Sequence, residues 1–133
     1  MNRERSLALQ EMNLTSLLRN GAFQFIDGKT PWFPYTSGQV GPYYVQSIAV
    51  EQEGLAYATA VDSMVELIRS DFPAFDAISG GESRDWDFSN PVAVALQKPH
   101  VKLYKDGKIL GAGIHGRTAL HVADLNNEGS SVR

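Results

Sequence analysis

The order of segments in the second half of this chain constrains its fold more than any other feature. Residues 53–70 carry apolar side chains at helical spacing, with Ala56, Ala60, Met64 and Leu67 on one stripe and Val61, Val65 and Ile68 beside it. Pro73 closes that helix, and residues 75–79 read as a short buried strand ending in Gly80-Gly81. A polar turn over 82–87 follows, then a helix from about 90 to 97 with Pro91 in its first turn. Residues 101–104 form a strand, Asp106-Gly107 a turn, 108–112 a return strand and 119–124 the closing strand. Strand, helix, strand and strand in this order give a three-layer α/β core with a parallel sheet, expected over residues 50–133 of one domain that spans 1–133.

The first half reads differently. Residues 3–20 have Leu7, Leu14, Leu17 and Leu18 at helical spacing, with Asn20-Gly21 as the stop. From there the pattern becomes extended. Residues 22–28 alternate and turn at Asp27-Gly28, and two aromatic-rich strands flank a Ser37-Gly38 turn, so 22–47 is expected to be a small antiparallel unit.

Three stretches carry chemistry. In the last, an apolar run ends in Asp124, and a polar turn containing Asn126, Asn127, Glu128 and Gly129 leads to Ser130 and Ser131. Converging backbone N–H groups, serine hydroxyls and the start of a helix favour an anion in such a turn. Asp124 is suited to ribose hydroxyls or hydrated Mg²⁺. An Asn-Asn turn with a serine-capped helix and no ligand reads equally well.

The second stretch, Gly80, Gly81, Glu82, Ser83 and Arg84, follows a buried strand and precedes a helix. Glycine lets backbone amides come close to phosphate oxygens, and the Arg84 guanidinium offers a fork of donors. The competing reading is a surface turn with Arg84 paired to Glu82 or Asp85. In the third, Lys105 and Lys108 lie about the Asp106-Gly107 turn, which taken alone reads as a plain hairpin with solvated lysines. His121 alternates with Leu120 and Val122 and reads as structural, His115 as a turn residue, and His100 carries no special claim.

Composition narrows the class. Net charge is −3, which gives no global field for nucleic acid or an anionic membrane. No cysteine is present, so disulfides, thiolate catalysis and cysteine zinc sites are excluded. No apolar run approaches the ~20 residues that span a bilayer, and the N-terminus lacks the apolar segment of a signal peptide, so a cytoplasmic protein is expected.

The closing stretch resembles the phosphoribosyl pyrophosphate (PRPP) signature of type I phosphoribosyltransferases, with Asp124, Gly129, Ser130 and Ser131 in matching places and Ala123 at the first acidic position. Residues 33–47 are similar to the N-terminal hood of orotate phosphoribosyltransferases, sharing Phe33, Ser37, Gly38, Pro42, Tyr43 and Tyr44. Thr36, Gln39 and Gly41 stand where those enzymes have lysine, arginine and serine, and their long lid is here reduced to a turn. The resemblance spans residues 7–133 in the family's order, and family members continue past the PRPP loop with a further helix and strand.

It implies a Rossmann-like parallel-sheet core, incomplete at the C-terminus, with a hood over 22–47, and a transferase of pyrimidine nucleotide metabolism that exchanges the pyrophosphate of PRPP for a nitrogenous base. On that basis Asp124 and the Asn126–Ser131 turn bind PRPP, Gly80 to Arg84 bind pyrophosphate, and Phe33, Ser37, Gly38, Tyr43 and Tyr44 form the base pocket. Lys105 and Lys108 are the catalytic cations, Asp124 holds Mg²⁺, and the chain is a homodimer that binds a small phosphoribosyl or nucleotide ligand. The departures also fit a second expectation, a non-catalytic module of the same fold that keeps a nucleotide or phosphate pocket in a regulatory role.

Overall fold

The computed structural model describes residues 1–21, 49–113 and 115–124 in full, and the backbone alone at 23–25, 33–34, 40–41, 43–45 and 47–48. The chain divides into two compact units, Asn2–Thr59 and Ala60–Arg133 with Met1.

In the first unit, α1 (Arg3–Arg19) opens on Asn2, whose side chain accepts the Arg5 amide at 2.8 Å. It stops where the Asn20 amide returns to the Ser16 carbonyl and Gly21 takes φ +70°. The leucine spacing gives the helix but not its covered face. Leu7, Leu14 and Leu18 are about half exposed, and burial falls on Leu9 and Ser16, seven residues apart and so on one stripe.

Four short strands follow: β1 (Phe23–Phe25), β2 (Phe33–Pro34), β3 (Val40–Gly41) and β4 (Tyr43–Val45). β1 pairs with β4 and β2 with β3, both antiparallel, with Phe23 opposite Val45 and Phe33 opposite Gly41. This is the expected hood; its Ser37-Gly38 turn lies outside the described residues. A 3₁₀ helix, Ser47–Gln52, leads into α2 (Gly54–Asp71), within which the two units divide. On α2 the buried residues are Ala56, Val61, Val65 and Ile68, while Leu67 is exposed, so the covered face is centred on the β-branched residues rather than on the Met64–Leu67 stripe.

The second unit holds β5 (Ala77–Gly81), α3 (Asp85–Leu96), β6 (His100–Leu103), β7 (Ile109–Gly111) and β8 (Ala119–His121). The sheet order is β7-β6-β5-β8. β5 runs parallel to β6 and to β8, and β7 is antiparallel to β6. The sheet is therefore mostly parallel, and β7 is the return strand expected after the Asp106-Gly107 turn, antiparallel for a geometric reason. Only residues 104–108 separate β6 from β7, too few for the crossover that a parallel return requires.

Ile78, Val92 and Val101 have no exposed surface and, with Ala77, Phe88, Ala93 and Val122, form the core about β5. A central strand covered on both faces is a near-continuous apolar run, which is how Ala77 and Ile78 read. α3 begins at Asp85, five residues earlier than expected, and Pro91 lies in its interior and interrupts the ladder by one donor. Tertiary contacts of the early turns outweigh that loss: Phe88 and Ser89 are buried, and Trp86 Nε1 donates to the Gly80 carbonyl at 2.8 Å. The helix ends at Gln97 in the left-handed region, with the Lys98 amide returning to the Ala93 carbonyl at 2.9 Å.

Candidate functional site

From β5 the chain passes through α3 to β6 on one side, whereas β8 lies on the other side of β5. The direction of strand order thus reverses between β5 and β8. Parallel sheets bind ligands in the crevice beyond the carboxyl ends of the strands at such a reversal. The residues singled out at Gly80 to Arg84 and at Asp124 lie at those two carboxyl ends.

Gly80 and Gly81 close β5; the need for glycine at Gly80 is steric, and at Gly81 the space is tight. A Cβ on Gly80 would overlap Ser89 Oγ and lie 2.8 Å from Ser89 Cβ and 3.2 Å from Trp86 Cδ1. One on Gly81 would lie 3.1 Å from Asp85 Oδ2. The glycines therefore admit the first turns of α3 against the strand end. In the turn at 82–84, joined by a cis Glu82-Ser83 peptide, the Glu82 amide donates to the Leu103 carbonyl at 2.9 Å. The Glu82 carboxylate accepts the Lys105 amide at 3.1 Å, which fastens the β6–β7 hairpin to this loop. Ser83 and Arg84 are exposed, and the Arg84 side chain pairs with neither Glu82 nor Asp85 among the described residues. That leaves its guanidinium facing solvent at the loop.

Asp85 joins the two strand ends. Its Oδ2 accepts the Gly81 amide at 3.2 Å and its Oδ1 accepts the Asp124 amide at 3.0 Å. Oδ2 is also 3.6 Å from His121 Nε2, an atom that is buried without a hydrogen-bond partner among the described residues. The other ring nitrogen, Nδ1, lies 3.1 Å from Ser79 Oγ, because Ser79 and His121 are register partners on one face of the sheet. Asp85 is only 8% exposed. Burial holds its carboxyl above the ordinary carboxylate range, the nearby Asp124 carboxylate raises it further, and the two amide donors offset part of the rise.

The opposite face of β5 meets α3. There His100 Nε2 lies 2.8 Å from the fully buried Ser89 Oγ, and burial, helped by the Lys102 charge, lowers the His100 pKa. Trp86 and Tyr104 meet edge to face with centroids 5.0 Å apart. Lys102 Nζ sits 5.2 Å above the Trp86 ring and Lys108 Nζ 5.3 Å above the Tyr104 ring. Lys105, in the hairpin turn, has an exposed side chain.

The second unit thus gathers Gly80, Gly81, Glu82, Ser83, Arg84, Lys105 and Asp124 at one end of its sheet, and Lys108 stays on the hairpin over Tyr104. Asn126, Asn127, Glu128, Gly129, Ser130 and Ser131 lie outside the described residues. Phe33 lies in β2 and Tyr43 and Tyr44 in β4 of the first unit, described as backbone, and Ser37 and Gly38 are outside the described residues. Asp85 and His121 are the additions that folding makes. In sequence one reads as part of a polar turn and the other as strand interior; a buried carboxylate three residues after Gly81-Glu82 gains meaning only when residue 124 arrives beside it.

An exposed guanidinium, a hairpin lysine and a carboxylate at the same end of a sheet suit a phosphorylated ligand that also carries hydroxyls. Among the described residues no cluster of three or more histidine, aspartate or glutamate side chains could hold a metal alone. Mg²⁺ needs no such cluster, because it binds through one or two carboxylates and completes its shell with water and ligand phosphate oxygens. No described helix is long and apolar enough to cross a membrane.

No family model matches the chain. Over 65 residues, 49% of the chain, it is 42% identical to an adenine phosphoribosyltransferase of Agathobacter rectalis. The chain spans about a third of that relative's length, 35%. Among solved structures it is similar to the orotate phosphoribosyltransferase of Francisella tularensis, with a TM-score of 0.70 at 20% identity, covering 91% of this chain and 60% of that one. It is also similar to the orotate phosphoribosyltransferase of Aeropyrum pernix, with a TM-score of 0.72 at 20% identity, covering 90% of this chain and 68% of that one.

Proposed function

We propose that this chain, which has the fold of the type I phosphoribosyltransferases, binds PRPP with Mg²⁺ and passes the phosphoribosyl group to a nitrogenous base. What supports this reading is one arrangement: the Gly80–Arg84 loop and Asp124 meet at the carboxyl ends of β5 and β8, where the strand order reverses and one buried carboxylate hydrogen-bonds to both.

In the reaction the bond from ribose C1 to the pyrophosphate oxygen breaks, its electron pair leaves with pyrophosphate, and a base nitrogen forms the new bond to C1 as its proton passes to the leaving pyrophosphate or to solvent. Positive charge develops on the ribose and negative charge on the leaving group. Arg84 and the amides of its loop receive the pyrophosphate, and Lys105 or Lys108 offsets the departing charge. Asp124 holds ribose hydroxyls and, with ligand oxygens and water, Mg²⁺, while the turn through Asn127 to Ser131 takes the 5′-phosphate. The metal supplies charge neutralisation on the pyrophosphate. The base is of the orotate type by the hood residues, Phe33, Ser37, Gly38, Tyr43 and Tyr44, or adenine by the likeness over 65 residues to an adenine phosphoribosyltransferase.

Calorimetric titration with PRPP and Mg²⁺, against ribose 5-phosphate, tests the binding. Saturable heat that needs Mg²⁺ and favours PRPP is expected, and turnover with orotate and with adenine then identifies the base. Absence of heat with either ligand refutes the reading. A second reading, a non-catalytic module that keeps the pocket, is favoured by the short hairpin. Residues 104–108 close it through the Tyr104 amide to the Lys108 carbonyl at 2.9 Å, leaving no long lid between β6 and β7. Tight PRPP binding without turnover of any base would select it.

A further inference from the structure

Among the described residues Asp85 is the one buried carboxylate at the strand ends, and nothing in the proposed reaction uses it. Each of its oxygens accepts an amide from a different ligand-side segment: Gly81 at the foot of the 82–84 loop at 3.2 Å, and Asp124 at the end of β8 at 3.0 Å. These amides are 43 residues apart in sequence and belong to different strand ends. The third neighbour is His121, whose Nε2 faces Oδ2 at 3.6 Å while Nδ1 lies against Ser79 Oγ. Ser79, Gly81, Asp85, His121 and Asp124 are thereby brought together across the gap between β5 and β8, with three hydrogen bonds and one 3.6 Å approach among them. Beyond the paired registers, the strands are joined further by the Val122 amide to the Ser79 carbonyl at 2.9 Å.

We propose that Asp85 is a positioning residue that clasps the Gly80–Arg84 loop to Asp124 beyond the end of β8, with His121 seated against the clasp from the neighbouring strand. This rests on the ligand reading above, because the clasp matters to ligands that touch both turns at once. PRPP is such a ligand: its pyrophosphate would sit at one turn and its ribose at the other. Ribose 5-phosphate and inorganic pyrophosphate each engage a single turn. Fixing two recognition segments at the right separation before the ligand arrives lowers the ordering needed on binding, and only a bidentate ligand benefits.

Asp85→Asn keeps the shape and replaces one acceptor by an amide donor, which cannot bond to a backbone N–H. Its expected effect is selective. PRPP affinity falls by about tenfold, the scale of one hydrogen bond to a charged acceptor, while affinities for ribose 5-phosphate and for pyrophosphate stay within about twofold. A defect in folding or in either turn alone would weaken the single-turn ligands as well. Equal loss for all three ligands, or unchanged PRPP affinity, overturns the proposal.

A measurement on the unaltered, ligand-free protein decides the same question without a variant. Scalar couplings across hydrogen bonds should connect the Asp85 carboxyl carbon to the amide nitrogens of both Gly81 and Asp124. Absence of either coupling overturns the clasp. If both are present and PRPP fails to bind, the clasp stands and the ligand reading falls.

Discussion

Replacing Gly80 by alanine puts the packing between β5 and α3 to a quantitative test. The added Cβ has no room, since it would overlap Ser89 Oγ and stand 2.8 Å from Ser89 Cβ, and Ser89 is fully buried. Either α3 moves off the strand or Ser89 turns away and gives up its 2.8 Å bond to His100 Nε2. Overpacking of this kind costs about 1–3 kcal/mol, and a lost buried hydrogen bond adds about 1 kcal/mol. The expected total is about 2–4 kcal/mol, a large part of the roughly 5–15 kcal/mol by which a domain is stable. In urea unfolding, with a slope of about 1–3 kcal/mol/M, the midpoint should fall by about 1 M or more at unchanged slope.

The clash has a named partner, so it can be relieved. Ser89→Gly alone destabilises through helix propensity, by about 0.5 kcal/mol, and by stranding His100. Combined with Gly80→Ala it should restore part of the loss, with a coupling of about 1–3 kcal/mol between the two sites. A Gly80→Ala protein within about 0.5 kcal/mol of the parent, or strictly additive effects in the double variant, would refute the reasoning.

Asp124→Asn should lower PRPP affinity by at least about tenfold while leaving stability unchanged or slightly higher, because it removes the carboxylate that raises Asp85 and keeps the backbone amide that Asp85 accepts; calorimetric titration beside urea unfolding checks both halves. Lys105→Ala should slow turnover by at least about tenfold with no change in melting temperature, since Glu82 holds the Lys105 amide and not its side chain; a shifted melting temperature would show a structural role instead. For His100 the folded pKa lies below the usual value of about 6.5, so the unfolded chain takes up the proton first. Its contribution to stability is present above about pH 6.5 and is lost as pH falls through the lower folded pKa. Urea midpoints at descending pH should therefore drop more steeply for the parent than for His100→Gln, and parallel profiles would count against it.

Much of the fold was legible in the sequence because local chemistry decided it. The helices at α1 and α2, the Gly80-Gly81 strand end, the Asp106-Gly107 turn and the antiparallel hood follow from periodicity and turn residues that act over a few positions. The place of several polar segment ends was also legible, since Gly80 to Arg84, Lys105 and Asp124 each follow an apolar strand pattern, and they lie at one end of the sheet.

What only the tertiary structure decided depends on neighbours distant in sequence. Which stripe of α1 and α2 is covered, Leu9 and Ser16 or Val61, Val65 and Ile68, is set by what packs there and not by spacing. The start of α3 at Asp85 overrode the proline signal at Pro91, because Trp86, Phe88 and Ser89 gain burial and hydrogen bonds against β5 and β6 that a local reading cannot count. The neighbourhood of Asp85 and His121 was likewise invisible, since a carboxylate in a polar turn and a histidine in a strand meet only when β8 is laid alongside β5 and brings residues 121 and 124 to residue 85. Sequence fixes what each segment can offer; the register between strands fixes which offers meet.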